Sequence, residues 1–91
     1  DEKINSLAFL DVYGRTLMAL QQLAHDQGIN TKHGIEISHA PTHQELSSMV
    51  GTSRETITRI ITVLKKNKTL VMYKGRKLIL RKYADGLFPQ I

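Results

Sequence analysis

Cysteine is absent from the 91-residue chain, which excludes disulfides, thiolate metal sites and a cysteine nucleophile within it and suits a reducing cytosol. No apolar run approaches the length needed to span a bilayer. A basic, apolar, small-residue leader is missing too, and the chain opens on Asp1 rather than Met. It is therefore expected to be a piece of a longer protein, with a sensing or catalytic domain elsewhere. No nucleophile–base constellation, phosphate-cradling glycine loop or carboxylate pair in an evident pocket occurs, so an enzyme is not expected. Of the four histidines, His25, His33, His39 and His43, only His39 and His43 stand at i, i+4, without a supporting third ligand. Surface histidine is the expectation, and no metal or cofactor site is assigned.

What is present belongs to one small globular module. Apolar residues make up 41% and charged residues 23%, a balance that argues against disorder and membrane residence. The length suits a single core. Net charge is +5, unevenly distributed: residues 1–51 hold three basic and six acidic side chains, residues 52–91 ten basic and two acidic. The halves thus differ as −3 and +8. Positive charge concentrated in one half suits a polyanion such as DNA or RNA, although an unspecialised basic surface would have the same composition.

Along the chain, a first helix is expected from an Asp11 N-cap to about His25 or Asp26, ending at a left-handed Gly28. Leu17, Leu20 and Ala24 form its core stripe at i, i+3 and i+7. The apolar segment 4–10 before it reads as a hinge, or as the end of a helix cut short. A loop from Gly28 to Gly34 leads to Ile35-Glu36-Ile37, whose alternation suggests an edge strand. Thr42-His43-Gln44-Glu45, preceded by Pro41, matches the capping box. Leu46, Met49 and Val50 supply an apolar face, and Gly51 stops the helix. Thr52-Ser53-Arg54-Glu55 repeats the box and opens a longer helix to about Lys66. Two capped helices joined through a glycine turn make a helix-turn-helix.

At about 100° per residue from Arg54, Ile57, Leu64, Ile60 and Ile61 fall near 300°, 280°, 240° and 340°, a single apolar arc. Arg54, Thr58, Thr62, Glu55, Lys66 and Arg59 occupy the opposite side, from 0° to about 140°. Such an arc ordinarily means a solvated face. Here, however, Arg54, Glu55 and Arg59 lie in the first two turns, where a recognition helix reaches base edges. Arginine can fork onto guanine O6 and N7, and a carboxylate can accept from cytosine N4. Finally, Leu70-Val71-Met72-Tyr73 and Leu78-Ile79-Leu80-Arg81 flank Lys74-Gly75-Arg76-Lys77. A two-residue Gly75-Arg76 turn pairs Tyr73 with Leu78 and Met72 with Ile79. The tip carries three cations suited to phosphate contacts, or merely to discouraging edge aggregation. Tyr73, Tyr83, Phe88 and the tail Leu87-Phe88-Pro89-Gln90-Ile91 are expected to close the core. The resulting fold class is α+β, mainly α: a winged helix-turn-helix of about three helices, with a small antiparallel sheet and a β-hairpin wing over residues 11–91.

The chain resembles the C-terminal DNA-binding domain of the cyclic-AMP receptor protein and FNR family of bacterial transcription regulators. The resemblance rests on Phe9-Leu10-Asp11-Val12 with Gly14-Arg15, on Thr42-His43-Gln44-Glu45-Leu46, on Val50-Gly51, and on Ser53-Arg54-Glu55-Thr56 to Arg59. In the receptor-protein branch, residues matching Arg54, Glu55 and Arg59 read a TGTGA-like half-site. The FNR branch keeps the glutamate and the second arginine, has serine where Thr58 stands, and lacks an arginine at Arg54. The resemblance, with the basic hairpin, implies DNA-backbone contacts at Thr42, His43, Ser53, Thr56, Thr58, Thr62, Lys74, Arg76 and Lys77. The receptor branch has arginine in place of His43 and lysine in place of Thr62.

By the same resemblance, residues 1–10 match the hinge or the end of a dimerisation helix. The whole protein would be a cytoplasmic homodimer on double-stranded DNA, whereas the isolated piece would be monomeric. An effector such as a cyclic nucleotide would bind an N-terminal domain outside this chain. The loop from Asn30 to Ser38 lies roughly where some members touch RNA polymerase, with no residue assigned. Two other readings remain open: an FNR-like half-site, and a winged helix that docks on another protein.

Overall fold

The computed structural model describes residues 7–81, so the expectations for residues 1–6, for Tyr83 and Phe88, and for the C-terminal tail lie outside it. The first helix, α1, spans Leu7–Gln27. It starts at least four residues before the expected Asp11 cap and crosses the expected boundary at residue 10. Phe9 explains why: its ring is buried in the core, so residues 7–10 pack on the domain as part of the helix. Asp11 instead accepts from Arg15 Nε at 3.2 Å, one turn later. Leu17, Leu20 and Ala24 are buried as their spacing predicts. Gly28 continues the helical ladder, its N–H donating to Ala24 O at 2.9 Å. It is required for closeness rather than for a left-handed turn, since a Cβ there would lie 2.4 Å from Ala24 O and 2.5 Å from Ile35 Cγ2.

The expected 28–34 loop is a strand pair, β1 (Ile29–Thr31) and β2 (Gly34–Ile37). The second hairpin is β3 (Leu70–Lys74) and β4 (Lys77–Leu80). All pairings are antiparallel in the order β1-β2-β4-β3, so Ile35-Glu36-Ile37 is an interior strand and β1 and β3 are the edges. Ile37 faces Leu78, and Ile35 faces Leu80. Tyr73 pairs with Leu78 and Met72 with Ile79, as expected, with an irregularity between Leu70 and Met72. Gly75 alone of the two turn residues has positive φ, +60°, the pattern of a type II′ turn.

Between the hairpins lie α2 (His43–Val50) and α3 (Arg54–Lys66). Leu46 and Val50 of α2, and Ile57, Ile60, Ile61 and Leu64 of α3, join Leu20, Ile37, Leu78 and Leu80 in one core. Met49 is not part of it. That side chain is 55% exposed, and the small Ser47 is buried in its stead, its hydroxyl donating to Gln44 O at 2.6 Å. Burial of Ser47 is tolerable because the hydroxyl keeps a partner, and it turns the packed face of α2 away from Met49.

Candidate nucleic-acid interface

The start of α2 forms the full capping box. Glu45 N–H donates to Thr42 Oγ1 at 3.0 Å, and Thr42 N–H donates to Glu45 Oε1 at 2.9 Å. Gly51 ends this helix in the left-handed region (φ 86°, ψ 45°), its N–H donating to Ser47 O at 2.8 Å. Arg15, reaching across from α1, donates from Nη1 to Val50 O. A cation thus meets the negative end of α2 and satisfies a terminal carbonyl.

The cap of α3 is Ser53, not Thr52, so the repeated box is corrected by one residue. Ser53 Oγ accepts from Thr56 N–H at 3.1 Å and donates to Thr56 Oγ1 at 2.9 Å. Thr56 therefore occupies the reciprocal place, and Glu55 is left out of the cap. Thr56 is only 7% exposed: at about 200° on the helical wheel it borders Ile60. The structure gives it a packing and capping role at the start of the helix.

The rest of the outer face of α3 is as the angular count requires. Arg54, Glu55, Thr58 and Thr62 are exposed and Arg59 is half-buried, all opposite the buried isoleucines. Thr62 Oγ1 donates to Thr58 O at 2.9 Å. Thr58 Oγ1 lies 3.2 Å from His43 Nδ1, a polar link between α2 and α3. The His43 ring meets Tyr73 edge-on, with centroids 5.1 Å apart. Burial, then Lys65, then Arg54 hold the His43 imidazole below its ordinary pKa.

Thr42, His43, Tyr73, Gly75 and Arg76 line a cavity of about 290 Å³ between α2 and the β3–β4 turn. Tyr73 donates its hydroxyl to Pro41 O, and burial pushes the phenol pKa up to about 12, with Arg76 opposing and Glu45 reinforcing the rise. The three hairpin cations are not equivalent. Arg76 is drawn back onto α2, 2.7 Å from Glu45 Oε1. Lys77 lies 3.8 Å from Glu36 Oε2. Lys74, which pairs across the strands with Lys77, is exposed and has no ion-pair partner among the described residues.

Sequence reasoning missed Arg15, Tyr73 and the Glu45–Arg76 pair as organisers of this surface. Their partners lie 35, 32 and 31 residues away, and no local pattern encodes such contacts. Among the described residues, no three His, Asp or Glu side chains group as metal ligands, and no helix is long and apolar enough to cross a membrane.

Among the described residues, three helices, a four-stranded antiparallel sheet and a cationic hairpin beside a helix-turn-helix define a winged helix-turn-helix domain. The chain matches the Crp-like helix-turn-helix domain over residues 14–86 and belongs to that family, the DNA-binding, non-enzymatic helix-turn-helix of CRP/FNR transcription regulators. It is 39% identical to the cAMP-activated global transcriptional regulator CRP of Haemophilus influenzae, over 81% of this chain and 36% of that protein. The CRP of Salmonella typhimurium is 38% identical over 86% of this chain and 36% of its own length. Among solved structures, the CO-dependent transcription factor CooA from Carboxydothermus hydrogenoformans, imidazole-bound, superposes with a TM-score of 0.77 at 32% identity, covering 86% of this chain and 36% of that one. The chain therefore spans about a third of the length of the relatives it matches.

Proposed function

We propose that the chain is the DNA-reading domain of a dimeric bacterial transcription regulator, laying α3 in the major groove of a TGTGA-like half-site. The observation that carries this reading is the outer face of α3, where Arg54, Glu55 and Arg59 stand opposite the buried Ile57, Ile60, Ile61 and Leu64. In this reading Arg54 and Arg59 fork onto guanines, and Glu55 accepts from a cytosine amine. Thr42, His43, Ser53, Thr56, Thr58, Thr62, Lys74 and Lys77 meet the backbone, fixing register without reading sequence.

The whole protein is, in this reading, a cytoplasmic homodimer whose effector binds outside this chain, and the segment from Asn30 to Ser38 is available to RNA polymerase. The matched relatives are named for different signals, cAMP and CO, so likeness to this domain carries no effector identity.

Competition titration against half-site variants at fixed salt tests the reading. Arg54→Ala should cost about 1–3 kcal/mol on the TGTGA-like site and much less once the contacted base is changed. Arg59→Ala should relax a neighbouring position, and Glu55→Ala should admit bases the carboxylate now rejects. Uniform weakening on losing Arg54 would favour an FNR-like half-site instead. If none of the three changes mattered, the face would be a protein-docking surface.

A further inference from the structure

One carboxylate oxygen accepts from two different elements at the start of α2. Glu45 Oε1 takes a bond from Thr42 N–H at 2.9 Å and another from Arg76 Nη1 at 2.7 Å. The same Nη1 lies 3.1 Å from Ala40 O, and Ala40 N–H donates to Arg76 O at 2.8 Å. Tyr73 adds its bond to Pro41 O from the adjoining strand. The turn of the wing is thereby tied to residues 40–45 through one arginine, its backbone included.

The electrostatics give this tie a purpose. A glutamate at the third helical position stabilises the N-terminus of α2. That terminus is also where backbone N–H groups and the helix dipole attract an anion such as phosphate. A bare carboxylate at the same place would repel it. The guanidinium removes the conflict: Glu45 keeps its capping bond, and its charge is neutralised from the wing. Both side chains remain about half exposed, so the pair contributes little to stability by itself. Its effect lies in the local field and in the position of the wing.

We infer that Arg76 is a positioning residue that masks the Glu45 carboxylate and fixes the wing against α2, rather than an independent phosphate contact. The inference rests on the DNA-binding reading above.

The test is a binding cycle of Arg76→Ala, Glu45→Gln and the double variant in this chain, titrated with duplex at several salt concentrations. Glutamine at position 45 can still form the capping box. Arg76→Ala should weaken duplex binding about tenfold, the scale of one unmasked charge near a phosphate in a partly solvated site. In the Glu45→Gln background the same change should cost less than twofold. The salt slope should stay unchanged on losing Arg76, whereas removal of a true phosphate-binding cation lowers it by about 0.9. A slope reduced by that amount, with no rescue by Glu45→Gln, would overturn the inference. A DNA-free measurement keeps the two readings apart. The Glu45 carboxyl is held below its ordinary pKa first by the Thr42 N–H bond and then by Arg76. In the free protein, NMR titration should therefore show that pKa rising toward the ordinary value in Arg76→Ala. An unmoved Glu45 pKa would refute the latch even if the chain bound duplex well. A moved pKa in a chain that ignored duplex would spare the latch and sink the DNA reading.

Discussion

His43 stands where α2, α3 and the hairpin meet. Thr58 is its hydrogen-bonding neighbour and Tyr73 its aromatic one, while Lys65 and Arg54 supply the nearby positive charge. Burial comes first, then those two cations, in holding its pKa below the ordinary 6.5. The sign follows from linkage. Below 6.5 the unfolded chain binds the proton more readily than the folded one, so stability rises with pH there. The contribution of His43 is complete above the unfolded value and is lost as pH falls through the lowered folded value. Denaturant titration across pH should therefore show an acid limb starting below 6.5, shallower in His43→Gln. Phosphate acts in the opposite sense, because an anion beside the ring favours the imidazolium. In the proposed complex, NMR should show the His43 pKa moving up on addition of duplex; an unmoved resonance would remove His43 from the backbone-contact set. Residue type alone was a fair guide to Arg54 and Glu55, which are exposed as expected. It misled at Met49, and it gave no sign that Thr56 is buried. A hydroxyl bonded to Ser53 can be buried at little cost, and a methionine can remain outside when a small serine packs more closely.

At the scale of elements, the two helices of the motif owe their relative placement to the turn at Gly51. Its φ of 86° is left-handed, and the nearest atom to a built Cβ is Arg15 Nη1 at 3.6 Å, an ordinary contact. Strain in a substituted residue would thus arise from the backbone and not from crowding. Gly51→Ala should destabilise the domain by about 1–2 kcal/mol, and Gly51→Asn by clearly less, since asparagine tolerates this conformation. Thermal or denaturant unfolding measures both, and equal losses would point to packing instead. This turn was legible in the sequence because capping signals, glycine and helical periodicity are local. The same holds for α3, whose four core residues followed from a 3.6-residue period, and for the β3–β4 hairpin, whose register followed from a two-residue turn. Of the β1–β2 pair, β2 was read from its alternation but β1 was not legible. Ile29-Asn30-Thr31 has no alternation worth the name, and it becomes a strand because β2 supplies the missing ladder. Nor could the start of α1 be read from Asp11, a good cap by type that the burial of Phe9 outweighs.

At the scale of the whole molecule, seven of the ten basic residues in 52–91 lie on α3 or on the β3–β4 hairpin, and they are differently placed. Lys74 and Lys77 face each other directly across β3 and β4. Like charges in that relation oppose folding by a few tenths of a kcal/mol up to about 1 kcal/mol. Lys77 has Glu36 nearby as partial relief, whereas Lys74 has none among the described residues. In the proposed complex, an arrangement unfavourable in the free domain becomes favourable once phosphate lies between the strands and solvent. Lys74→Gln should accordingly move two quantities in opposite directions. The free chain should become slightly more resistant to denaturant. Duplex affinity should fall for every half-site in the panel alike, with the slope of log affinity against log salt reduced by about 0.9 for the single phosphate no longer neutralised. Salt-dependent titrations on matched and mismatched duplexes, run beside denaturant unfolding of the same variant, decide the matter. A change in preferred half-site would mean that the wing reads bases. Loss of stability together with affinity would mean that Lys74 supports the fold and that its role on DNA is indirect.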